Sequence, residues 1–343
     1  VRWIEWLNNC RGDVETIGGK GAGLARLALE GLPVPPAFFV TTAAFEEAMA
    51  PTARRIDADL AALPSTLSPA ELERASADAR QRVLAASAGH PVLDAVADAY
   101  RELAGGAPDA VAVRSSSALE DAEEASYAGE HDTYLWVEGA DAVAAAVRRC
   151  WASLYTARAI RYRMRVGVDR ALTMATVVQR MVDARAAGVF MTLNPSNGDR
   201  SSVVVESVWG VGEPLVSGTV TPDRFVLDKV TGDVRRRELA RKERRTVRGA
   251  DGPVEVPVAD ELRDAPSLDD AQLAELLAMA RRVEAMLGRP ADGEFAVTDA
   301  ETWLLQARPE TAWSARRPAS ARPAPAGALQ AVVGTLTSTP SPS

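Results

Sequence analysis

Glu294-Phe295-Ala296-Val297-Thr298-Asp299-Ala300-Glu301-Thr302-Trp303-Leu304-Leu305-Gln306-Ala307-Arg308 is the stretch with the clearest geometry in this 343-residue chain. Two short apolar runs flank Asp299-Ala300-Glu301, which predicts two strands joined by a turn. Pairing centred on Ala300 sets Glu294 opposite Gln306. A side-chain period of two then puts Arg308 on the same face as Gln306. One face of the hairpin thus presents a carboxylate, an amide oxygen and a guanidinium, bounded by apolar residues. Glu and Gln oxygens suit Mg2+, which takes few protein ligands and completes its octahedron with phosphates and water. Arg308 could then hold a phosphate that the metal leaves exposed. A solvent-facing polar edge of a hairpin gives the same pattern, so the residues alone leave both readings open.

Upstream of the hairpin, Ser267-Leu268-Asp269-Asp270 resembles a capping box, opening a helix with Leu273, Leu276, Leu277 and Val283 inward and Gly288 at its end. Further back, Val177-Val178, Val189-Phe190-Met191, Val203-Val204-Val205 and Phe225-Val226-Leu227 read as strands divided by glycine, proline and asparagine turns. A strand-rich lobe therefore begins near Thr176. Before it, Asp141 to Arg165 reads as one helix with Val147, Trp151 and Leu154 in its apolar stripe. Residues from about Thr42 to Leu103 alternate alanine, leucine and charge at helical spacing, with breaks near Pro51, Pro64 and Pro91. Beyond Trp313 the chain turns to proline, alanine, serine and threonine without periodicity, so 314–343 reads as a linker or loose tail.

Two segments of the first half could also carry chemistry. Gly18-Gly19-Lys20 precedes a predicted helix from Gly21 to Glu30, with Leu24, Leu27 and Ala28 on one face and Gly31 and Pro33 as its stop. Glycines let a backbone approach a phosphate, and the helix start would aim its N–H groups at the same anion. The spacing is neither a Walker A loop nor a Rossmann turn, and a plain turn before a helix fits equally well. Val111-Ala112-Val113 reads as a strand that delivers Arg114 and Ser115-Ser116-Ser117 at a loop. Arginine offers a planar fork of donors matched to phosphate oxygens, while a salt bridge to nearby Glu120 or Asp121 is the structural alternative. Ser126-Tyr127-Ala128-Gly129 is a small-residue stretch that could fold over a nucleotide.

Composition excludes several classes. The chain is 47% hydrophobic and 25% charged, with a net charge of −8, which suits a globular protein with a substantial core. The acidic balance, with a pI near 5.1, argues against nucleic acid as the main partner. The run from Arg235 to Arg245 is interrupted by Glu238 and Glu243 and reads as a solvated surface segment. Cys10 and Cys150 make neither a disulfide framework nor a metal cluster, and no apolar run reaches membrane-spanning length. These features predict a cytoplasmic protein that does not engage membrane. Only His90 and His131 occur, too few for a histidine metal site; His90 reads as a surface turn residue. The chain opens on Val1, as a fragment or a non-standard start would.

Taken together, these segments resemble the N-terminal ATP-binding domain of the phosphoenolpyruvate synthase and pyruvate phosphate dikinase family, also found in rifampin phosphotransferases. The resemblance runs in order through Gly18-Gly19-Lys20-Gly21, Leu32-Pro33-Val34-Pro35-Pro36-Ala37-Phe38, Arg114-Ser115-Ser116 with Glu120-Asp121, and Ser126-Tyr127-Ala128-Gly129. It continues through Gln179-Arg180-Met181-Val182, Gly188 to Pro195, Glu206 to Glu213, Val216-Ser217-Gly218 and Leu305 to Thr311. It implies an α+β fold, a bilobal ATP-grasp-like nucleotide-binding domain with lobes at 1–175 and 176–313. It further implies that Lys20 and Arg114, assisted by Arg308, hold ATP phosphates, and that Glu294 and Gln306 coordinate Mg2+. The strand from Gln179 through Met181 and Val182 would meet adenine, and Ala128 and Gly129 would cover the phosphates. Tyr127 and Glu130 stand where the family often has phenylalanine and glutamine, a departure confined to that loop.

By the same resemblance, ATP phosphorylates a histidine on a swivelling domain, with release of AMP and phosphate, and a further domain binds the acceptor. Nothing after residue 313 reads as either domain, so the sequence implies an ATP-binding half that needs a phosphohistidine-carrying partner or a downstream domain. The end of the match also resembles stand-alone ATP-binding subunits of phenylphosphate synthase-type systems. An ATP-sensing regulatory subunit without transfer is the alternative of a different class, and the ATP-binding part of a rifampin-type enzyme is another. Pyruvate, a phenol and an antibiotic hydroxyl are all compatible acceptors.

Overall fold

Ala37-Phe38-Phe39-Val40 is buried at all four positions, which requires a strand with a core on each side. The computed structural model, which describes residues 2–64, 66–106, 109–117, 133–166, 173–250, 252–310 and 313, supplies both cores. The first sheet contains β1 (Ile4–Trp6), β2 (Ala37–Val40), β3 (Val111–Ser116), β4 (Thr133–Val137) and β5 (Ala175–Arg180), in the spatial order β1-β2-β5-β3-β4. Phe38, Val40, Val113 and Val178 enter one core, and Ala37, Phe39 and Val177 the other.

The first of these cores is closed by α2 (Thr42–Ala61), α3 (Pro69–Ala86), α4 (Pro91–Ala104) and α5 (Ala140–Ala152), reached in chain order after α1 (Val14–Leu29). Their ends follow local chemistry. Ser68 and Glu71 form a capping box ahead of α3, with Pro69 in its first turn. His90 caps α4 through its side chain, and Gly105 ends that helix in the left-handed region at φ 64°. The break expected at Pro51 does not occur: α2 runs through it, because Phe45, Met49, Ala53 and Ile56 form a buried stripe that outweighs one lost backbone bond. The single helix expected from Asp141 to Arg165 is instead divided at Ser153–Tyr155 before α6 (Ala157–Val166).

The second sheet is built from β6 (Ala186–Met191), β7 (Ser202–Trp209), β8 (Asp223–Asp228) and β9 (Val234–Glu238), then β12 (Ala291–Val297) and β13 (Thr302–Pro309), ordered β13-β12-β6-β7-β8-β9. Between them in the chain lie α7 (Glu213–Val216), the hairpin of β10 (Arg244–Gly249) and β11 (Gly252–Pro257), α8 (Asp260–Arg263) and α9 (Asp270–Leu287). Phe190, Val203, Val205, Phe225 and Phe295 share a core with Leu273, Leu276 and Val283 of α9 and with Leu24 and Leu27 of α1. The opposite face carries a row in register across five strands: Gln306, Glu294, Val189, Glu206 and Arg224. β5, which the strand-rich composition assigns to the second lobe, pairs with β2 and β3 in the first sheet. Composition marks a strand but not its partners. The fold is mixed helix and antiparallel sheet, an α+β protein, and no described helix is long and apolar enough to cross a membrane.

Two local expectations change. The cap of α9 is Asp269, paired with Gln272, and Ser267 instead lies buried against Asp223. The arginine-rich segment is mostly paired surface: Arg235 with Asp228, Arg237 with Asp270, Arg241 with Asp264 and Arg244 with Glu255. Lys242 departs from it, being 5% exposed, with Nζ 2.6 Å from the fully buried Asp223 carboxylate. That carboxylate also accepts from the Ala240 N–H and from the Ser267 N–H and hydroxyl, so the buried charge pair is held by hydrogen bonds at both oxygens. Cys10 and Cys150 are free and buried, and burial pushes the Cys10 thiol up to about 11. Residues 1–310 form one unit; of the second, Thr311–Ser343, the described residue is Trp313, so the tail expected at 314–343 lies outside the described residues.

Candidate functional site

Arg114 lies inside β3 rather than in a loop after it, hydrogen-bonded between β4 and β5. A central strand fixes its backbone, and the side chain crosses to the other sheet. Its Nη2 donates to Glu294 Oε2 and Gln306 Oε1, each at 2.8 Å. Its Nη1 donates to the Leu305 carbonyl at 3.1 Å. The ion pair with Glu294 joins partners 180 residues apart, while Glu120 and Asp121, the local alternative, lie outside the described residues.

The hairpin that supplies these acceptors pairs Glu294 with Gln306 as expected, but by another route. Val297 pairs with Thr302 and Phe295 with Leu304, which sets the turn half a residue away from Ala300. A bulge between Glu294 and Phe295 makes up the difference. The extra residue is Leu305, whose carbonyl receives Arg114, so the irregularity creates one of the three acceptors. Arg308 pairs with Asp292, its Nε 3.9 Å from the carboxylate. Burial pushes Asp292 up to about 6, with Arg308 pulling it back and Glu310 adding to the rise. Asp292 was missed in the sequence, although the period of two from Glu294 indicates it.

The glycine-rich segment is not a loop ahead of a helix. Asp13 caps a helix that starts at Val14 and is interrupted only at Gly18, with φ 71° and ψ 175°. A Cβ on Gly18 would stand 2.2 Å from the Ser116 carbonyl oxygen, and one on Gly23 would stand 2.8 Å from that of Ala307. The Gly19 N–H donates to the Ser117 carbonyl and the Gly21 N–H to the Ser116 hydroxyl, which itself donates to the Ile17 carbonyl. Two of the N–H groups expected to face an anion are thus taken by the end of β3. The glycines serve close backbone packing of α1 on β3 and β13. Lys20 is half-buried, and its ammonium donates to the Ser115 carbonyl at 3.1 Å, beside Arg114.

A cavity of about 490 Å³ opens between the sheets, within the range of small-ligand sites. Its walls include Arg114, Thr133 and Leu135 from the first sheet, Gln179 through Val182 where the chain passes from β5 to β6, and Gly188, Glu213, Glu294 and Leu305. Of the residues singled out in the sequence it gathers Arg114, Gln179, Met181, Val182 and Glu294; Gln306 touches the same guanidinium, and Lys20 and Arg308 are not in its lining. Gln179 is 2% exposed and its Nε2 has no hydrogen-bond partner. The Met181 N–H is engaged by the Ala110 carbonyl at 2.8 Å. Apolar lining comes from Leu135, Met181 and Val211, which cluster with Ala110 and Trp136. Trp136 holds φ 52° at a bulge of β4, and no sequence signal indicated this wall. Ala128 and Gly129, with Tyr127, Glu130 and His131, lie outside the described residues.

Glu294 Oε2 and Gln306 Oε1 converge on one nitrogen at 2.8 Å each, so two hard oxygen donors face a single point, an arrangement that fits Mg2+ completed by phosphate and water. Among the described residues no group of three or more His, Cys, Asp and Glu side chains is placed to hold a metal.

Comparison with known proteins gives this geometry a context. Residues 14–325 match the pyruvate phosphate dikinase AMP/ATP-binding domain. The chain is 39% identical over 317 residues to a probable phosphoenolpyruvate synthase of Methanothermobacter thermautotrophicus, covering 91% of this chain and 46% of that protein. It is 40% identical over 296 residues to the prodigiosin synthesizing transferase PigC of Serratia marcescens, covering 86% and 31%. It is 40% identical over 304 residues to a rifampicin phosphotransferase of Streptomyces sviceus, covering 87% and 34%. The chain thus spans less than half the length of these relatives. With a family match over most of its length and a cavity walled by the residues that carry the resemblance, the chain belongs to the pyruvate phosphate dikinase AMP/ATP-binding domain family.

Proposed function

We propose that this chain is the ATP-grasp-like, bilobal nucleotide-binding part of a phosphoenolpyruvate-synthase-like phosphotransferase. The observation that supports it best is the convergence of Arg114, Glu294 and Gln306 on one wall of a cavity whose other wall is the crossing Gln179–Val182. The lobes would divide at that crossing rather than at residue 176, since β5 belongs to the first sheet.

In this reading the adenine lies on the apolar wall of Leu135, Met181 and Val211, and the unpaired Gln179 amide donates to a ring or ribose acceptor. Lys20, Arg114 and Arg308 neutralise phosphate charge, which is most of what phosphoryl transfer asks of a protein. Glu294 and Gln306 would hold Mg2+, whose role is to bridge and neutralise phosphate oxygens. Ala128 and Gly129 would cover the phosphates. One phosphoryl group passes to a histidine on a swivelling domain carried by a partner or by further chain, AMP being the leaving group, and one water hydrolyses the second phosphoanhydride bond to release phosphate. That acceptor domain, and the domain that binds pyruvate, a phenol or an antibiotic hydroxyl, lie outside these residues.

Incubation with ATP, Mg2+ and the isolated phosphohistidine domain of a longer relative tests this. Partner-dependent AMP formation, lost in Lys20→Ala and Glu294→Ala, is the expected result. Tight ATP binding without AMP under every condition would establish a sensing subunit instead.

A further inference from the structure

Arg114 is assigned to phosphate, yet its guanidinium sits on the two oxygens assigned to the metal. Both oxygens lie 2.8 Å from Nη2, and the Leu305 carbonyl fixes Nη1. A divalent ion held by both oxygens would compete with that nitrogen for the same two acceptors. Two cations held by the same pair of oxygens repel each other strongly at short range in a partly buried site, so one excludes the other. The Arg114 side chain is 12% exposed and that of Glu294 29%, so water screens the contest only weakly. Arg114 Nε is meanwhile buried without a hydrogen-bond partner, so this posture leaves one of its donors unused.

We propose that Arg114 is a latch that takes the place of the divalent cation in the nucleotide-free protein, tying β3 of the first sheet to the β12–β13 hairpin of the second. The inference rests on Glu294 and Gln306 being the metal ligands. When the metal arrives with nucleotide, both oxygens pass from the guanidinium to the ion. The freed guanidinium then has its whole donor fork, Nε included, for phosphate oxygens. Metal and nucleotide binding are thereby coupled: metal alone must take Arg114 from Glu294, Gln306 and the Leu305 carbonyl with no phosphate to receive it, whereas metal with nucleotide supplies one. The latch also keeps Glu294, partly buried, from standing as an uncompensated charge between ligands.

The test is Mn2+ binding to the whole chain without nucleotide, read by electron paramagnetic resonance, for wild type, Arg114→Met and Glu294→Gln. The latch requires Arg114→Met to bind Mn2+ at least about tenfold more tightly than wild type. Mn2+ should also raise the melting temperature of Arg114→Met more than that of wild type. Equal Mn2+ affinity in wild type and Arg114→Met, with binding lost in Glu294→Gln, overturns the latch and leaves the metal assignment standing. Failure of every variant to bind Mn2+ overturns the metal assignment, and the latch with it. Arg114→Gln, which keeps a donor without the charge, is the second variant. If both arginine variants fold only when Mn2+ is present, the latch is supported; if neither folds with or without Mn2+, it is overturned, because a metal that replaces the guanidinium must restore what its loss removes.

Discussion

Gln179 is a side chain whose placement works against stability. Its amide is buried with Nε2 unpaired, a cost on the order of 1–3 kcal/mol that an apolar isostere avoids. Gln179→Leu should therefore raise the melting temperature of the free protein while weakening ATP binding, measured by calorimetry; unchanged ATP affinity in this variant would remove Gln179 from the site. Gly18 makes the opposite case. Its positive φ and the Ser116 carbonyl at 2.2 Å from a built Cβ leave no room for alanine. Gly18→Ala should cost about 2–4 kcal/mol in chemical denaturation, through strain and displacement of β3, with a matching loss of nucleotide affinity.

Among the elements, the β8–β9 turn is governed by Asp228. It accepts the Val230 and Thr231 N–H groups and pairs with Arg235, and these bonds hold its carboxyl down at about 2. A depressed carboxylate contributes stability that is complete above its unfolded value near 3.8 and lost as pH falls through about 2. Asp228→Ala should lower the melting temperature at pH 7, and the gap to wild type should close between pH 4 and pH 2. Lys242 ties β8 to the strands after it through Asp223. Lys242→Met alone should cost about 3–5 kcal/mol in urea unfolding, because it strands a buried carboxylate. The double change with Asp223→Leu should cost less than the sum of the two single changes.

At this scale the sequence was uneven. The helices α3 and α4, the body of α9 and the apolar strands β6, β7 and β8 were legible because their signals are local: a proline break, a glycine stop, a β-branched run, although the cap of α9 falls at Asp269 rather than Ser267. The passage of α2 through Pro51 was not, because tertiary burial of Phe45 and Met49 outweighs a local rule. Nor was the bulge at Leu305, where a count from the turn gave the right pair for Glu294 through two compensating shifts.

For the molecule as a whole, the cavity lies between two sheets that share one core around α1, the first sheet having a second core on its other face, and the Arg114 contacts also reach across. A ligand that fills it should act on both. Saturating Mg-ATP at about a hundred times its dissociation constant should stabilise the protein by about 2.7 kcal/mol, visible as a rise in melting temperature. The same addition should slow proteolysis and hydrogen exchange in the crossing at residues 181–185. Unchanged exchange there with ATP bound would locate the nucleotide elsewhere.

The sequence by itself determined the element types, the family and the identity of the polar residues, because these rest on local periodicity and on ordered motifs. It also indicated that Glu294, Gln306 and Arg308 share a face, since alternation along a strand is a property of the backbone. Only the tertiary structure decided that Arg114 reaches that face from another sheet, that β5 pairs in the first sheet, and that the glycines of α1 serve the approach of Ser116 and Ala307. Those are contacts between residues tens to nearly three hundred positions apart. No local pattern encodes them, since they are selected by which packing buries the two cores together.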